Sequence, residues 1–154
     1  MCIRDRLEID PTTILIKELP YELVKGLRAS FFCIGALLTK FGEAQVPLPG
    51  GCNIGSRPID EHINGLIALG ADIIIQEGIV KAKISGNKKR LHGTHIKLNC
   101  PSVGATETLI MAASLAKGRT IMKMLLESLK FKTYAKCLIK WGQKFMTLVK
   151  KQSL

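Results

Sequence analysis

A cysteine on a glycine-rich loop is the residue of this sequence best suited to chemistry. Cys52 follows Gly50-Gly51 and lies five residues before Arg57, inside a run of turn-forming residues. A fixed positive charge near a mobile thiol favours the thiolate, so Cys52 is a candidate for proton transfer or nucleophilic chemistry. A free cysteine is also commonly a small buried apolar side chain, and the loop alone leaves both interpretations open. None of the three histidines lies in a recognisable protease signature, which disfavours a cysteine protease.

Two further features could bind an anion. The guanidinium of Arg57 can donate to two oxygens of a phosphate or carboxylate at once. Ser102-Val103-Gly104 stands at the predicted start of a helix, where free backbone N–H groups point outward and Gly104 lets a ligand approach closely. The start of this helix and that of the helix predicted from about residue 59 indicate a diphosphate site, although Ser102-Val103-Gly104 alone could be a plain helix cap and Arg57 an ordinary surface arginine.

The elements that must position these residues alternate between helix and strand. Apolar spacing and capping residues predict three helices, at about 21–41, 59–69 and 102–117. Strands are predicted at 44–48, 73–75, 80–84 and 94–98, the middle two joined as a hairpin at Glu77-Gly78. The residues expected to be buried on the first two helices are Val24, Leu27, Phe31, Ile34 and Leu38, then Ile59, Ile63, Leu66 and Ile67. This order predicts helices packed on sheets, an α/β or α+β domain.

Composition is that of a globular chain of one domain's length. The 154 residues are 47% hydrophobic and 23% charged, and no apolar run is long enough to span a membrane. The five cysteines are widely spaced, so neither a disulfide framework nor a metal knuckle is expected. With no signal-peptide pattern at the start, these features predict reduced thiols and a cytoplasmic location.

The positive charge is concentrated in one segment. Of the net charge of +11, residues 1–121 carry +4, whereas residues 122–154 carry +7 from eight lysines and one glutamate. Composition therefore changes abruptly at about residue 122. One hypothesis is a non-enzymatic basic module that binds nucleic acid or an anionic membrane through residues 122–154.

Three separated motifs resemble the UDP-N-acetylglucosamine 1-carboxyvinyltransferase family of enolpyruvyl transferases. In order they are Leu27-Arg28-Ala29-Ser30, the run LPGGCNIGSRPID over 48–60, and the run PSVGATE over 101–107. The resemblance covers about residues 7–121. It implies an α/β fold that is part of an inside-out α/β barrel domain, with the active site between two such domains.

The resemblance also implies a role for each motif residue. Cys52 would be the general acid that protonates the methylene carbon of phosphoenolpyruvate, and Arg57 would hold its phosphate. The residues that would contact the sugar nucleotide are Arg28, Arg57, Pro58, Ile59, Asp60, Ser102, Val103 and Gly104. One departure is Cys100, where the family carries a lysine. No metal and no organic cofactor is implied.

The function implied is transfer of the enolpyruvyl group from phosphoenolpyruvate to the 3′-hydroxyl of UDP-N-acetylglucosamine, the first committed step of peptidoglycan synthesis. The partners would be these two small-molecule substrates and the missing second domain of the same enzyme, with no nucleic acid and no membrane. Since half the site would lie outside this segment, we expect the chain to be inactive alone.

The resemblance divides the chain into three parts. Residues 1–6 are interpreted as a non-native leader, 7–121 as a partial enolpyruvyl transferase domain, and 122–154 as a frame-shifted tail. Met122-Lys123-Met124 can be encoded only by ATG-AAR-ATG, and a shift of one base yields Glu followed by Asn or Asp, as in the family's continuation ENAAREPEI. If the tail is frame-shifted, the argument for a basic binding module disappears.

Overall fold

Helices and strands alternate along the chain in the computed structural model, which describes residues 12, 18–49, 59–86, 90–123, 133 and 136. The helices are α1 (Tyr21–Gly26), a 3-10 helix (Arg28–Phe32), α2 (Cys33–Phe41), α3 (Asp60–Ala68) and α4 (Val103–Ser114). The strands are β1 (Glu43–Pro47), β2 (Ala71–Gln76), β3 (Ile79–Ile84), β4 (His95–Lys97) and β5 (Ile121–Lys123). The α/β composition predicted from the sequence is confirmed.

The strands form two small sheets. One is antiparallel with the order β1-β3-β2, and the other pairs β4 with β5 in parallel. The predicted hairpin joins β2 to β3, and its turn residues Glu77 and Gly78 have φ of 50° and 74°. This left-handed backbone matches the twist of a two-residue hairpin, which is why the Glu-Gly pair was informative.

The core lies between the helices and the antiparallel sheet, and α4 packs against both α2 and α3. Two glycines allow this close packing. A Cβ on Gly35 of α2 would lie 2.5 Å from the carbonyl oxygen of Thr108, and one on Gly65 of α3 would meet the side chain of Leu109. The buried centre includes Ile34, Leu38, Val46, Leu66, Val80, Leu109 and Ile110.

The single first helix predicted over 21–41 is wrong. The chain leaves the helical conformation at Leu27, with φ −138° and ψ 105°, and the Leu27 side chain is 60% exposed instead of buried. Gly26, a poor helix former, ends α1 at this point. The other four residues of the predicted stripe are buried as expected, on both sides of this break: Val24, Phe31, Ile34 and Leu38. The apolar spacing therefore continues through a segment that is not one continuous helix.

The buried face of α3 differs from the predicted one. Leu66 is buried as expected and Ile59 and Ile63 are half-buried, but Ile67 is 49% exposed. The residues of α3 that are buried are Glu61, His62, Gly65 and Leu66. Two polar side chains occupy this face because each has a hydrogen-bond partner on a neighbouring segment.

The last helix is three residues shorter than predicted, and a strand follows it. Lys117 leaves α4 because its backbone pairs with a neighbouring segment: its N–H donates to Leu91 O and its carbonyl accepts from Gly93 N. The next strand, β5, extends through Met122 and Lys123, past the boundary expected at residue 121. Within the described part of the chain, no helix has the length and apolar character to cross a membrane.

Candidate functional site

Residues just after two of the predicted binding stretches lie against Gly104 of the third, where α4 begins. A Cβ on Gly104, in the first turn of α4, would lie 2.7 Å from Phe32 Cε1 and 3.3 Å from His62 Cε1. Phe32 ends the 3-10 helix that starts at Arg28, and His62 lies two residues after Asp60 on α3. The fold therefore brings the end of the 3-10 helix, the first turns of α3 and the start of α4 to one place.

Ser102 caps α4 as the sequence predicts. Its backbone is extended, with φ −132° and ψ 121°, and its Oγ accepts a hydrogen bond from the Ala105 N–H at 3.3 Å. The Thr106 hydroxyl donates to the Ser102 carbonyl oxygen at 2.6 Å, which further fixes this turn. Val103 is 36% exposed and Gly104 half-buried. Because first-turn N–H groups have no acceptor within a helix, those of Val103 and Gly104 are suited to an anion.

The segment that leads into α4 is held by α3. Glu61 is only 9% exposed, and its Oε2 accepts a hydrogen bond from the Asn99 N–H at 3.0 Å. Its Oε1 accepts from the Cys100 thiol, with the sulfur 4.0 Å away. Asn99 and Cys100 follow β4 and immediately precede Pro101-Ser102. The position of the α4 start is thus tied to the first turn of α3. Cys100 itself is an exposed free thiol.

A buried histidine joins α3 to α4. His62 is 4% exposed, and its Nδ1 lies 2.9 Å from the Thr108 hydroxyl oxygen. Its ring lies nearly parallel to Phe32, with centroids 5.9 Å apart, and meets Phe31 edge-on at 5.3 Å. Sequence reasoning missed Glu61, His62 and Phe32. The available signal was spacing, since His62 precedes the buried Leu66 by four residues and so shares its helix face.

The predicted site residues divide into those the structure describes and those it does not. Ile59 is half-buried just before α3, and Asp60 is the exposed first residue of that helix. Arg28 starts the 3-10 helix, where its backbone alone is described. The remaining predictions, Cys52, Arg57 and Pro58, lie outside the described residues. Among the residues that are described, no three His, Cys, Asp or Glu side chains group as metal ligands would.

Comparison with curated proteins gives close relatives. The UDP-N-acetylglucosamine 1-carboxyvinyltransferase of Prochlorococcus marinus strain AS9601 is 90% identical over 119 residues, which is 77% of this chain and 26% of that protein. The protein of the same name from strain MIT 9301 is 70% identical over 140 residues, 91% of this chain and 31% of that protein. The chain therefore spans about a quarter to a third of the length of these relatives.

The fold comparison agrees with the sequence comparison. The crystal structure of the enolpyruvyl transferase NikO from Streptomyces tendae superposes with a TM-score of 0.66 over 82% of this chain and 29% of that one, at 19% identity. This likeness confirms the α/β fold predicted for part of an enolpyruvyl transferase domain. The model of the EPSP synthase (3-phosphoshikimate 1-carboxyvinyltransferase) family matches residues 5–153. The chain therefore belongs to the EPSP synthase family of enolpyruvyl transferases.

Proposed function

We propose that this chain is part of an enzyme that transfers the enolpyruvyl group of phosphoenolpyruvate to the 3′-hydroxyl of UDP-N-acetylglucosamine and releases phosphate. The observation that carries the proposal is the 90% identity over 119 residues to a protein named for this activity. The chain spans 26% of that relative, so the remainder of the enzyme, including a second domain, would supply the rest of the site.

The proposed chemistry assigns a proton donor and an anion clamp to this chain. A base in the remainder of the enzyme would take the proton of the sugar hydroxyl as its oxygen bonds to the central carbon of phosphoenolpyruvate, while the Cys52 thiol gives its proton to the methylene carbon. Loss of phosphate, together with a proton that returns from the new methyl group to the Cys52 thiolate, then restores the double bond. Arg57 would hold the phosphate as its charge changes, because a guanidinium can donate to two of its oxygens. The loop that carries both residues would close over the substrate.

The sugar nucleotide would lie against the starts of α3 and α4. Its proposed contacts are Arg28, Arg57, Pro58, Ile59, Asp60, Ser102, Val103 and Gly104. Support comes from the contacts of Phe32 and His62, which follow two of these stretches, with Gly104, and from the Ser102 cap that leaves first-turn N–H groups available for a diphosphate. The lysine that the family carries at position 100 is a cysteine here, so one cationic contact to the diphosphate would be absent.

The reaction proposed is the first committed step of peptidoglycan synthesis, with consequences for cell shape and division. Phosphoenolpyruvate is a metabolite of the cytoplasm, which is therefore the proposed location. The alternative hypothesis, a basic module that binds nucleic acid or membrane through residues 122–154, gains no support, since the relatives are named as transferases and the family model extends across that segment.

Covalent labelling of Cys52 in the 154-residue chain tests the proposal. The reagent is an epoxide phosphonate that mimics phosphoenolpyruvate, and the adducts are located by peptide mass spectrometry with and without UDP-N-acetylglucosamine. We expect selective modification of Cys52 that increases with the sugar nucleotide, because the assembled site concentrates the reagent beside this thiol.

The same chain contains the matched controls. Cys33 is a free, exposed thiol that is not among the proposed contacts of the sugar nucleotide, so it reports the intrinsic reactivity of an accessible cysteine towards the reagent. A Cys52→Ser variant shows how much of the label on the peptide that contains residue 52 is attached to residues other than this cysteine. Equal labelling of Cys52 and Cys33, or labelling of Cys52 that does not change with UDP-N-acetylglucosamine, would contradict the proposal for this chain.

A further inference from the structure

His62 of α3 contacts two other elements near the start of α4, the end of the 3-10 helix and α4 itself. The imidazole, 4% exposed, lies against both aromatic rings at the end of the 3-10 helix, with Phe32 nearly parallel at an interplanar angle of 19°. On its other side it reaches α4 through the Thr108 hydroxyl. A buried ring held from several directions has little freedom to reorient.

The two contacts of His62 on α4 lie one helical turn apart. Cε1 of the ring faces Gly104, where a Cβ would be 3.3 Å away, and Nδ1 is 2.9 Å from the hydroxyl oxygen of Thr108. Residues four apart lie on the same side of a helix, so His62 contacts two successive turns along one face. Contact at two turns sets the rotation of α4 about its axis, which a single contact would not.

The rotation of α4 determines where its first N–H groups point. Those groups can stabilise a diphosphate only if they are already directed at it, since reorienting them on binding would cost free energy. We propose that His62 is a positioning residue that sets the rotation of α4, and thereby directs the first-turn N–H groups of Val103 and Gly104 towards the diphosphate of the sugar nucleotide. That a sugar-nucleotide diphosphate binds at these N–H groups rests on the proposed function.

The test compares three variants of the 154-residue chain: His62→Phe, Thr108→Val and the double variant. Each single change removes the 2.9 Å hydrogen bond and leaves the other member of the pair without this contact, so thermal stability should fall. The double variant removes both polar groups and should recover most of that stability. Dissociation constants for UDP-N-acetylglucosamine are measured by titration calorimetry well below every unfolding temperature.

We expect the affinity for UDP-N-acetylglucosamine to fall about ten-fold in all three variants, the double variant included. Stability and affinity would then separate, because the double variant leaves no polar group of the pair unmatched but lacks the contact at Thr108, one of the two that set the helix rotation. A second readout needs no ligand: exchange of the Ala105 and Thr106 amide hydrogens, which donate to the Ser102 side chain and carbonyl, should become several-fold faster.

Val80→Ala is the control, since it removes buried apolar volume from β3, away from the start of α4. It should lower stability without changing affinity or exchange at Ala105 and Thr106. The inference is overturned if affinity and exchange simply follow stability across all four variants. If the parent chain does not bind UDP-N-acetylglucosamine, the proposed function of this chain fails, and amide exchange alone decides whether His62 positions α4.

Discussion

Ser102 shows how one side chain prepares the candidate site. Its Oγ accepts the Ala105 N–H, so the hydroxyl satisfies an amide that the helix itself leaves without an acceptor. This role was predictable, because a serine between a proline and an apolar helical run is a typical N-cap. Gly104 was likewise identified from sequence, although the aromatic neighbours that require a glycine there were not.

Replacing this cap should destabilise the protein. We expect Ser102→Ala to lower the free energy of unfolding by about 1 kcal/mol, since the Ala105 N–H loses its acceptor. Urea denaturation followed by circular dichroism measures the change. Ser114→Ala is the matched control at the other end of α4, where the hydroxyl only donates back to the Met111 carbonyl. Equal losses in the two variants would show that the cap contributes nothing specific.

At the scale of elements, α4 is positioned by close contacts on both sides. Gly35 brings α2 against it and Gly65 brings α3 against it. The neighbours differ in kind, since a Cβ at Gly35 would meet the backbone oxygen of Thr108 at 2.5 Å, whereas one at Gly65 would meet the side-chain carbons of Leu109. A side chain can change rotamer, but a helix backbone must move as a unit.

The two glycines should therefore respond differently to the same substitution. We expect Gly35→Ala to lower the free energy of unfolding by roughly 2–3 kcal/mol, despite a gain of about 1 kcal/mol in helix propensity. Gly65→Ala should cost less, about 1 kcal/mol, because Leu109 can adjust. Thermal unfolding of both variants tests which substitution destabilises the protein more. A larger loss of stability for Gly65→Ala would contradict the argument that a backbone neighbour is less adaptable than a side-chain neighbour.

At the scale of the whole molecule, several large apolar side chains among the described residues are exposed. Ile74 and Ile75 of β2 are 59% and 49% exposed, and β2 is an outer strand of its sheet. An outer strand with exposed isoleucines favours pairing with other chains.

We therefore expect the 154-residue chain to self-associate, and Ile74→Lys to reduce that association several-fold at equal concentration. Light scattering across a concentration series measures it. Asn64→Lys on the exposed side of α3 adds the same charge without removing apolar surface. If Asn64→Lys reduced association equally, net charge and not the β2 surface would be responsible.

The tail gives a prediction at the level of the gene. A base lost from an isoleucine codon would place Met122 where that isoleucine belongs. Met122 is 6% exposed in β5 and Lys123 is exposed, so the strand retains its alternation. We expect independent clones of the gene to contain one additional base at the codons for residues 121–122. If every clone lacks this base and encodes residues 122–154 as printed in one continuous reading frame, the interpretation is wrong.

The sequence by itself determined the features that depend on neighbouring residues. These include the family motifs, the Ser102 cap, the Glu77-Gly78 hairpin turn and the left-handed Gly42 that ends α2. Each is a local preference of the backbone, or a short run of residue types that can be read directly. The family resemblance was readable for the same reason.

The tertiary structure decided what depends on distant partners. Glu61 and His62 are buried because their hydrogen-bond partners, Asn99 and Thr108, come from segments 38 and 46 residues away. The spacing of apolar residues within α3 does not reveal these distant partners, and it predicted a different buried face for the helix. The candidate site is assembled by those distant contacts, since they determine where α4 begins and which way its first turn faces.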